Sequence, residues 1–470
     1  MVQIVPFRGL RYHPDTAGTE LSALTAPPYD VIPAELQQDL YKRSPYNVIR
    51  LILNQKESTD RPEGPNGYTR AGEFFTQWQA SGILQPDANP GLYAYTQTFE
   101  ENGQSITRKG FFALLKLEAL GQERGVLPHE RTLGGPKEDR FKLMQATQAN
   151  LSPIFMIYND PQFTLENAGL YNQGQAHWQT VSSEDEGPVE HRICPVTEPA
   201  LLEKAKNLLA QQAILIADGH HRYETALSFK QAVRERLAKD PQHQHLAQLP
   251  DGELLSDYAL IFLANQADLA GLRVYPTHRI LLELPEGWSI DRLESRLLDC
   301  FEKVSDPSLA DMVYVGSDPW QQNSYPWALR LKKPALVASL PPAMQNLDVA
   351  ILDQVVFREV FGYSADQLKT EHILFFERDE AALQQRIEKG EFKSVFYMKT
   401  PPLDLIRQVC EEGHRMPQKS TYFYPKLLSG LVFASHCRFE GTEHSLSNTS
   451  NLTVQAVPSG LFQNSATVSV

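Results

Sequence analysis

The sequence predicts a protein of the α+β class, and two observations lead to this prediction. Amphipathic segments with helical spacing are interspersed with short apolar or alternating segments that favour strands. Hydrophobic residues make up 42% of the 470 residues, which is enough to form sizeable cores. At about 150 residues per domain, a chain of this length indicates about three folding units.

The N-terminal quarter predicts loops, two helices and a hairpin. Prolines break residues 1–34 into loops and short strands. Residues 34–53 predict a short helix, a turn and then a strand, and residues 68–84 predict an amphipathic helix. Residues 91–118 alternate on both sides of Asn102–Gly103, which is typical of a β-hairpin.

The remainder of the chain predicts further helices and strands, with polar loops between them. Helices are predicted within 141–150, 198–212, 220–239, 348–362 and 403–413, and strands within 151–158, 213–219, 257–265, 271–281, 392–399 and 421–433. Residues 441–470 are rich in Ser, Thr and Asn, which predicts a disordered polar tail. We expect an N-terminal α/β region (1–115), a core (116–245) and a C-terminal α/β region (246–440) before that tail.

Charge and cysteine content exclude several classes of protein. The net charge of -13 argues against sequence-independent nucleic-acid binding, although a local basic pocket for a small anion is compatible with it. The four cysteines form no CxxC pair, so neither a zinc site nor a disulfide framework is predicted. Neither a signal core nor a run of 18 apolar residues is present, so we expect a soluble cytoplasmic protein that does not bind membranes.

The most ordered candidate site is the strand–turn–helix "ILIADGHHRYETAL" (214–227). Asp218 ends the strand, Gly219 permits a tight turn, and His220, His221 and Arg222 begin the helix. The N–H groups and the dipole of a helix start favour an anion, and Arg222 can add a bidentate contact. The structural alternative is that Asp218 caps the helix and the histidines lie on the surface.

The segment "LPHERTLGGPKEDR" (127–140) is too irregular for a solvated helix and too charged for a plain turn. In the functional interpretation Glu130 is a general base or a metal ligand, and Arg131, Lys137 and Arg140 hold an anion. The turn 134–136 then leads the chain away from the site. In the structural alternative "PKEDR" is a solvated first helical turn with surface ion pairs.

Two further segments carry candidate anion ligands. "MPQKSTYFYPK" (416–426) interleaves Lys419, Ser420, Thr421 and Lys426 with aromatic residues but lacks the glycines of a P-loop. "GLRVYPTHRIL" (271–281) ends a strand with Thr277, His278 and Arg279. For both, an ordinary strand with polar ends is the alternative. We also consider three residues of rigid, proline-rich corners as cleft-lining candidates: Tyr29, Asp30 and Asn47.

These segments together resemble the bacterial and archaeal domain-of-unknown-function 1015 family. The phrases that carry the resemblance are "PFRGLRY", "APPYDVI", "SPYNVIRL", "LPHERTLGGPKEDR", "SPIF", "ADGHHRYETAL", "GLRVYPTHR" and "MPQKSTYFYPKL". They extend from residue 6 to about residue 430. The family name implies no activity.

A more distant resemblance does imply one. A Pro-His-Glu box, a helix, and a strand ending in Asp-Gly-His resemble the core of the ParB/sulfiredoxin superfamily, and most closely its free-serine kinases. The resemblance implies a ParB/sulfiredoxin-like core with large N- and C-terminal α/β additions. It places catalysis on Glu130 and Asp218. The residues implied or proposed to bind phosphate or substrate are His129, Arg131, Thr132, Lys137, Arg140, Gly219, His220, His221, Arg222, His278, Arg279, Lys419, Ser420, Thr421 and Lys426.

The resemblance implies a kinase that transfers a phosphoryl group from pyrophosphate, ADP or ATP to free L-serine or a similar metabolite. Mg²⁺ is the expected cofactor, with Asp218 as its ligand, and the partners are the small-molecule substrate and the donor. The sequence lacks the cysteine of sulfiredoxins at this turn and the basic module of ParB proteins, so both activities are disfavoured. A nucleotide- or anion-binding regulator, a phosphohydrolase and a homodimer stay open.

Overall fold

A computed structural model describes residues 2–18, 20–121, 125–130, 134–172, 178–184, 187–316, 326–437, 454–459, 461 and 462. The chain forms two compact units. Unit 1 comprises residues 1–127, 132–272 and 425–470, and unit 2 comprises residues 128–131 and 273–424. Helices and strands are mixed in both units, which confirms the predicted α+β class.

Unit 1 is built on a mixed sheet with nine strands in the described residues. Its strands are β1 (Ile4–Val5), β4 (Leu92–Glu101), β5 (Gln104–Lys116), β6 (Val126–Pro128), β8 (Ile154–Tyr158), β9 (Trp178–Glu184), β10 (Gly187–Val196), β11 (Ile214–Asp218) and β12 (Tyr258–Asn265). Shorter pairs are formed by β2 (Leu10–Tyr12) with β3 (Leu84–Pro86) and by β7 (Ala149–Asn150) with β21 (Ala434–Ser435).

The strand order of the large sheet is β6-β11-β8-β12-β5-β4-β10-β9, and β1 also pairs with β5. β8 and β12 are parallel, whereas β11–β8, β12–β5, β4–β5 and β10–β4 are antiparallel. Every residue of β12 is buried, as expected for a central strand covered on both faces. The sheet thus carries Asp218 at one end of a short buried strand.

Unit 1 contains nine α-helices in the described residues. They are α1 (Pro14–Ala17), α2 (Ala34–Arg43), α3 (Ile49–Ile52), α4 (Gly67–Ala80), α5 (Gly134–Thr147), α6 (Thr164–Asn167), α7 (Pro199–Leu209), α8 (His220–Lys239) and α9 (Gln244–Ala247). α8 buries Tyr223, Ala226, Phe229, Val233 and Leu237, which recur at helical spacing. It packs against α5, which in turn packs against α4.

In the residues that the structure describes, unit 2 contains a six-stranded antiparallel sheet and a separate strand pair. The sheet order is β15 (Phe301–Lys303), β17 (Trp327–Leu331), β16 (Met312–Gly316), β19 (Ser394–Tyr397), β14 (His278–Leu281) and β18 (Leu374–Glu377). The pair is β13 (Arg273–Tyr275) with β20 (Tyr422–Tyr424). The helices are α10 (Ile290–Cys300), α11 (Asp348–Ile351) continued by a π-helix (Leu352–Phe361), α12 (Ala365–Thr370), α13 (Glu380–Glu388) and α14 (Leu403–Glu411).

The units differ from the domains that the sequence predicts. The boundaries expected near residues 115 and 245 fall inside unit 1, because the hairpin β4–β5 pairs with β12 on one side and β10 on the other. Strands that are distant in sequence pair within one sheet, and such pairing leaves no change of composition along the chain from which a domain boundary could be predicted. The predicted C-terminal region 246–440 is likewise divided at residues 272 and 425.

Three local predictions are wrong. Residues 49–52 form helix α3 instead of a strand, because the buried Asn47 accepts the amide of Ile49 through Oδ1. The predicted turn at 134–136 is the start of α5, where a proline is tolerated because first-turn amides have no partner within the helix. The expected strand 271–281 is two strands, β13 and β14, separated by Pro276–Thr277.

The tail 441–470, predicted to be disordered, is described only in part. Residues 438–453, 460 and 463–470 lie outside the described part of the chain. The described tail residues pack on unit 1: Val454 and Val457 are buried, and the Phe462 ring lies 5.5 Å from that of Phe229. Apolar residues within the polar tail explain this packing. No described helix is long and apolar enough to cross a membrane.

Candidate functional site

The start of α8 is built around Gly219. This residue has φ 93° and ψ 30°, a left-handed conformation that costs a residue with a Cβ about 1–2 kcal/mol. A Cβ at this position would lie 2.8 Å from Nε of Arg222. Glycine therefore permits both the tight turn after β11 and the close approach of the Arg222 side chain.

Asp218 is paired with two cations. Its Oδ2 lies 2.6 Å from Nη2 of Arg222, and its Oδ1 lies 3.3 Å from Nζ of Lys426. Arg222 also donates from Nη1 to the carbonyl of Pro153. We call Asp218, Gly219, Arg222 and Lys426 the Asp218 cluster. Two cations around one carboxylate give this cluster a net positive charge.

The structure does not support the view that Asp218 is the cap of α8. The N-cap is Gly219, which has no side chain to accept the first-turn amides, and the carboxylate of Asp218 pairs with Arg222 instead. His220 is buried and His221 is half-buried in the first turn. An N-cap without a side-chain acceptor suits an anion, which is attracted by the N–H groups and the helix dipole.

The backbone of Lys426 is bound by two side chains of the hairpin β4–β5. Gln97 donates from Nε2 to the carbonyl of Lys426 at 2.9 Å, and Arg108 donates from Nη2 to the carbonyl of Pro425 and to Oε1 of Gln97. Both side chains are fully buried. The Nη2 group of Arg108 is thus shared between two acceptors, and this contact fixes the backbone that carries Lys426.

The predicted anion ligands of α5 are engaged in neighbouring pairs. Lys137 lies 2.9 Å from Oε2 of Glu224, on the first turns of α8. Arg140 pairs with Asp139, donates to the carbonyl of Ile52 at 2.8 Å, and lies 3.8 Å above the ring of Tyr29. The structural alternative predicted ion pairs on the surface of this helix, and one such pair is formed by the exposed Glu138 with Lys142.

In unit 2, Glu130 is bound by the segment that follows Gln418. Its Oε1 accepts the Ser420 amide at 3.0 Å and lies 3.5 Å from Oγ1 of Thr421, and its Oε2 accepts the Lys419 amide at 3.2 Å. Nε2 of the fully buried His129 lies 2.9 Å from Oγ1 of Thr421 and 3.4 Å from Oε1 of Glu130. We call these five residues the Glu130 cluster.

The turn that presents these amides has an unusual backbone. Lys419 has φ 55°, the left-handed region that non-glycine residues rarely adopt. The turn is fixed by Met416, whose amide donates to the carbonyl of His129 at 2.8 Å, and by Oγ of Ser420, which donates to the carbonyl of Pro417 at 2.5 Å. Successive amides in such a turn form a concave site for an anion. Here the anion is the carboxylate of Glu130.

Arg279 and His278 lie in β14 and have different environments. Arg279 is 3% exposed and donates to the carbonyls of Thr277 and Gln418, beside the Glu130 cluster. Burial lowers the pKa of Arg279 to about 10, against the charges of Asp348 and Glu130, which raise it. His278 is buried and accepts the Met398 amide through Nδ1, and burial lowers its pKa to about 4.

Several sequence predictions fall outside these two clusters. Arg131 and Thr132 lie outside the described residues. Asn47 is a structural residue that donates to the carbonyls of Ala23 and Thr25, and Asp30 is exposed. The described residues contain no group of three or more His, Cys, Asp or Glu side chains arranged to hold a metal ion.

Sequence reasoning missed the supporting residues Gln97 and Arg108. A signal was available for Arg108, because it occupies an inward position of the alternating strand β5, between the buried Ile106 and Gly110. A charged residue at such a position must have specific partners. Its partner segment, 425–426, lies more than 300 residues away and carries no matching pattern.

The chain belongs to the family described as protein of unknown function (DUF1015), whose model matches residues 4–350. This confirms the family resemblance inferred from the eight phrases. No curated protein has significant sequence similarity to the chain.

Solved structures with similarity to the chain include a free serine kinase in complex with AMP, which is 14% identical and has a TM-score of 0.32. The similarity covers 64% of this chain and 83% of the kinase. A conserved hypothetical protein from Pyrococcus furiosus is 14% identical (TM-score 0.30, covering 64% and 87%). A C-terminally truncated SbnI from Staphylococcus aureus is 8% identical (TM-score 0.34, covering 68% and 88%). At these TM-scores the similarities assign no activity.

Proposed function

We propose that this protein is a small-molecule phosphotransferase that moves a phosphoryl group from a phosphate donor to the hydroxyl of free L-serine or a similar metabolite. The observation that carries the proposal is the Asp218 cluster. It combines a helix start whose N-cap has no side-chain acceptor with two cations that outnumber their carboxylate. Phosphoryl transfer depends mainly on positioning and on neutralising charge, and these are the properties of the cluster.

Each residue of the cluster has a role that its geometry supports. The first-turn amides of α8 hold the transferred phosphoryl group, and Arg222 and Lys426 neutralise the donor. Asp218 keeps both cations in place and orients the acceptor hydroxyl. In the reaction the hydroxyl oxygen forms the new bond to phosphorus, the bond from phosphorus to the donor's bridging oxygen breaks, and the donor fragment leaves with that electron pair.

For the proton of the hydroxyl we propose Glu130 as the general base. The amides of Lys419 and Ser420 stabilise its ionised form, which is the form that accepts a proton. His129, Thr421 and Arg279 position this carboxylate and the turn around it. The sequence resemblance of the Pro-His-Glu box to that of serine kinases supports the same role.

Mg²⁺ is the proposed cofactor, and the question is whether the cluster offers a suitable protein ligand for it. Mg²⁺ is usually bound by one or two carboxylates together with substrate phosphates, so Asp218 alone is a sufficient protein ligand. Both carboxylate oxygens of Asp218 contact cations, so Mg²⁺ would share this carboxylate with Arg222 and Lys426. When bound it would neutralise charge on the donor phosphates.

An assay of the full chain tests the proposed function. The protein is incubated with L-serine, Mg²⁺ and, separately, pyrophosphate, ADP or ATP, and O-phosphoserine is measured by mass spectrometry. Product with one donor supports the proposal, and no product with any donor contradicts serine as the acceptor. Phosphate release without an acceptor would indicate a phosphohydrolase, and tight nucleotide binding without any product would indicate a regulator.

A further inference from the structure

In unit 2, the ring of Phe376 has two cations beside it. Phe376 lies in β18 and is paired directly with Arg279 of β14. Cζ of Arg279 lies 5.2 Å from the centroid of this ring, and Nζ of Lys369, in the last turn of α12, lies 5.8 Å from it. Both distances are within the range of about 6 Å over which an aromatic face attracts a cation. The fold thus brings an ammonium group near a guanidinium, although their charges repel one another.

Lys369 is half-buried, and its ammonium group forms neither an ion pair nor a hydrogen bond with a residue in the described part of the chain. Burial lowers the pKa of Lys369, the charge of Lys419 lowers it further, and Asp366 raises it by the smallest amount of the three. Half-buried cations that lie close together, with little opposing charge, are typical of a site that binds an anion.

The same cations adjoin the turn that binds Glu130. Arg279 donates from Nη2 to the carbonyl of Gln418 at 3.0 Å, and the next amide, that of Lys419, donates to Oε2 of Glu130 at 3.2 Å. Nε2 of Gln418 is buried and has no hydrogen-bond acceptor in the described residues. Buried N–H groups are normally paired, so a ligand that accepts from Nε2 would remove a cost of the folded chain. We call Arg279, Lys369 and Lys419 the cation group.

The balance of charge around this turn suits a ligand with one negative charge. Glu130 and Asp366 offset two of the three positive charges of the cation group. Two further carboxylates act on Arg279, and each has a cation of its own: Asp348 with Lys399 and Asp353 with Arg358. One positive charge is left, which matches a single carboxylate, whereas a polyphosphate carries several charges. An ammonium group on the ligand would be repelled.

We propose that the cation group binds the carboxylate of the acceptor beside its base, Glu130, and that the acceptor is a small hydroxy acid without an ammonium group. The inference rests on the proposed function in naming Glu130 as the base and the ligand as the acceptor. Nζ of Lys369 and Nε2 of Gln418 donate to the carboxylate, and the other two cations contribute charge. A short carbon chain is sufficient, because the base and the cation group adjoin the same turn.

The test measures how fast an N-hydroxysuccinimide ester acylates each lysine of the full chain, by peptide mass spectrometry and without a phosphate donor. The probes are 3-hydroxypropanoate, its uncharged amide, L-serine and pyrophosphate. A carboxylate bound to Lys369 shields the amine and keeps it protonated, so 3-hydroxypropanoate should slow its acylation at a concentration about tenfold below that of L-serine. The amide should have no effect. Lys389, exposed at the end of α13, is the internal control, and its rate should not change.

Gln418→Leu removes the side-chain donor and keeps a similar size, and the free chain should stay folded because no described hydrogen bond of Nε2 is lost. The concentration of 3-hydroxypropanoate that halves the acylation rate of Lys369 should rise about tenfold, the effect of one lost hydrogen bond to a charged group. Gln408→Leu is the matched control: it makes the same change at an exposed position of α14, where Nε2 donates to Glu412 at 2.9 Å. It should leave that concentration unchanged.

Acylation of Lys369 that 3-hydroxypropanoate does not slow, or equal slowing at Lys369 and Lys389, would overturn the inference. So would protection by pyrophosphate at a lower concentration, because the cation group would then belong to the donor, and so would an unchanged response in Gln418→Leu. None of these measurements requires turnover. No product in the kinase assay together with a protected Lys369 would count against the proposed function alone, whereas product without protection would count against this inference alone.

Discussion

At the scale of single residues, Glu130 is distinguished by the donors that surround its carboxylate. Two backbone amides and one threonine hydroxyl approach its oxygens within 3.5 Å. A carboxylate on the surface usually lacks such a set of protein donors, because water molecules donate its hydrogen bonds equally well. The left-handed conformation of Lys419 costs the folded chain free energy, and this conformation allows the turn to bind the Glu130 carboxylate.

Glu130→Gln tests whether that carboxylate takes the substrate proton. The amide cannot accept the proton, and its NH₂ group would face one of the two backbone N–H donors. We expect kcat to fall by about 10²–10⁴-fold and the free energy of unfolding to fall by about 1–3 kcal/mol. Turnover at saturating substrate and urea unfolding measure the two effects.

The control for this variant is Glu138→Gln, which makes the same chemical change at an exposed position paired with Lys142. Its kcat should be unchanged and its stability should move by less than about 0.5 kcal/mol. If Glu130→Gln also kept its turnover, Glu130 would not be the base, whatever reaction the protein catalyses.

Lys426 and Asp218 give a second prediction at this scale. Lys426→Met keeps most of the stem and removes the charge, so the Michaelis constant of the phosphate donor should rise about tenfold or more.

Unfolding of Asp218→Asn, Lys426→Met and the double variant should show a coupling of about 1 kcal/mol, since the pair is partly buried. Lys142→Met is the surface control. Additive effects of the two substitutions would show that the 3.3 Å contact has no energetic role.

At the scale of secondary-structure elements, the start of α8 depends on the glycine that precedes it. Gly219→Ala should lose about 1–2 kcal/mol because of its left-handed φ, and a further amount because the new Cβ displaces Arg222. Gly362→Ala is the matched control: it has φ 79° and ψ 15°, and no atom lies within 4 Å of its Cβ position. We expect a rise in the donor's Michaelis constant only for Gly219→Ala. A similar loss of stability in both variants, with unchanged kinetics, would contradict the role of this close approach.

The elements near the candidate site were predictable to different degrees. β11 and α8 follow from an apolar run, a glycine and helical periodicity, and the hairpin β4–β5 follows from alternation around Asn102–Gly103, which has the positive φ values of a tight turn. These are local signals. The contact between Glu130 and the 419–420 amides joins residues about 290 positions apart and depends on a left-handed lysine, which no local pattern indicates.

The same distinction explains the missed residues. Gln97 and Arg108 donate to the carbonyls of Lys426 and Pro425, which lie more than 300 positions along the chain, so no local pattern links them to the site. The buried residues of the tail, Val454 and Val457, are isolated apolar residues in a polar segment. Their packing depends on a groove in unit 1 that composition cannot reveal.

At the scale of the whole molecule, buried histidines set how stability depends on pH. Burial lowers the pKa of His191 to about 3 and that of His436 to about 4, and both belong to unit 1. Both rings have two hydrogen-bond partners, Tyr95 and Ser182 for His191, and Asn150 and the carbonyl of Leu255 for His436. In the unfolded chain both rings are protonated as the pH falls through about 6.5, whereas in the folded unit they stay neutral at that pH.

The size of the effect differs between the units. Unfolded unit 1 binds about one more proton than the folded unit at pH 6.5 and nearly two more at pH 5, so its stability falls as the pH falls, by about 1.4 kcal/mol per pH unit for each proton. In unit 2 the pKa of His278 is lowered to about 4 by burial, but burial raises the pKa of Asp348 to about 6. Folded Asp348 holds a proton that the unfolded chain releases above pH 4, which offsets His278 over most of this range.

Hydrogen exchange on the full chain should resolve this difference. From pH 6.5 to pH 5, the opening free energy of slowly exchanging amides in β8 and β12 should fall by about 3 kcal/mol, and that of amides in β14 and β19 by less than about 1 kcal/mol. His436→Gln removes one titrating group and should roughly halve the fall in unit 1 without altering unit 2. An equal fall in both units, or no change with His436→Gln, would mean that buried histidines do not control the acid sensitivity of this protein.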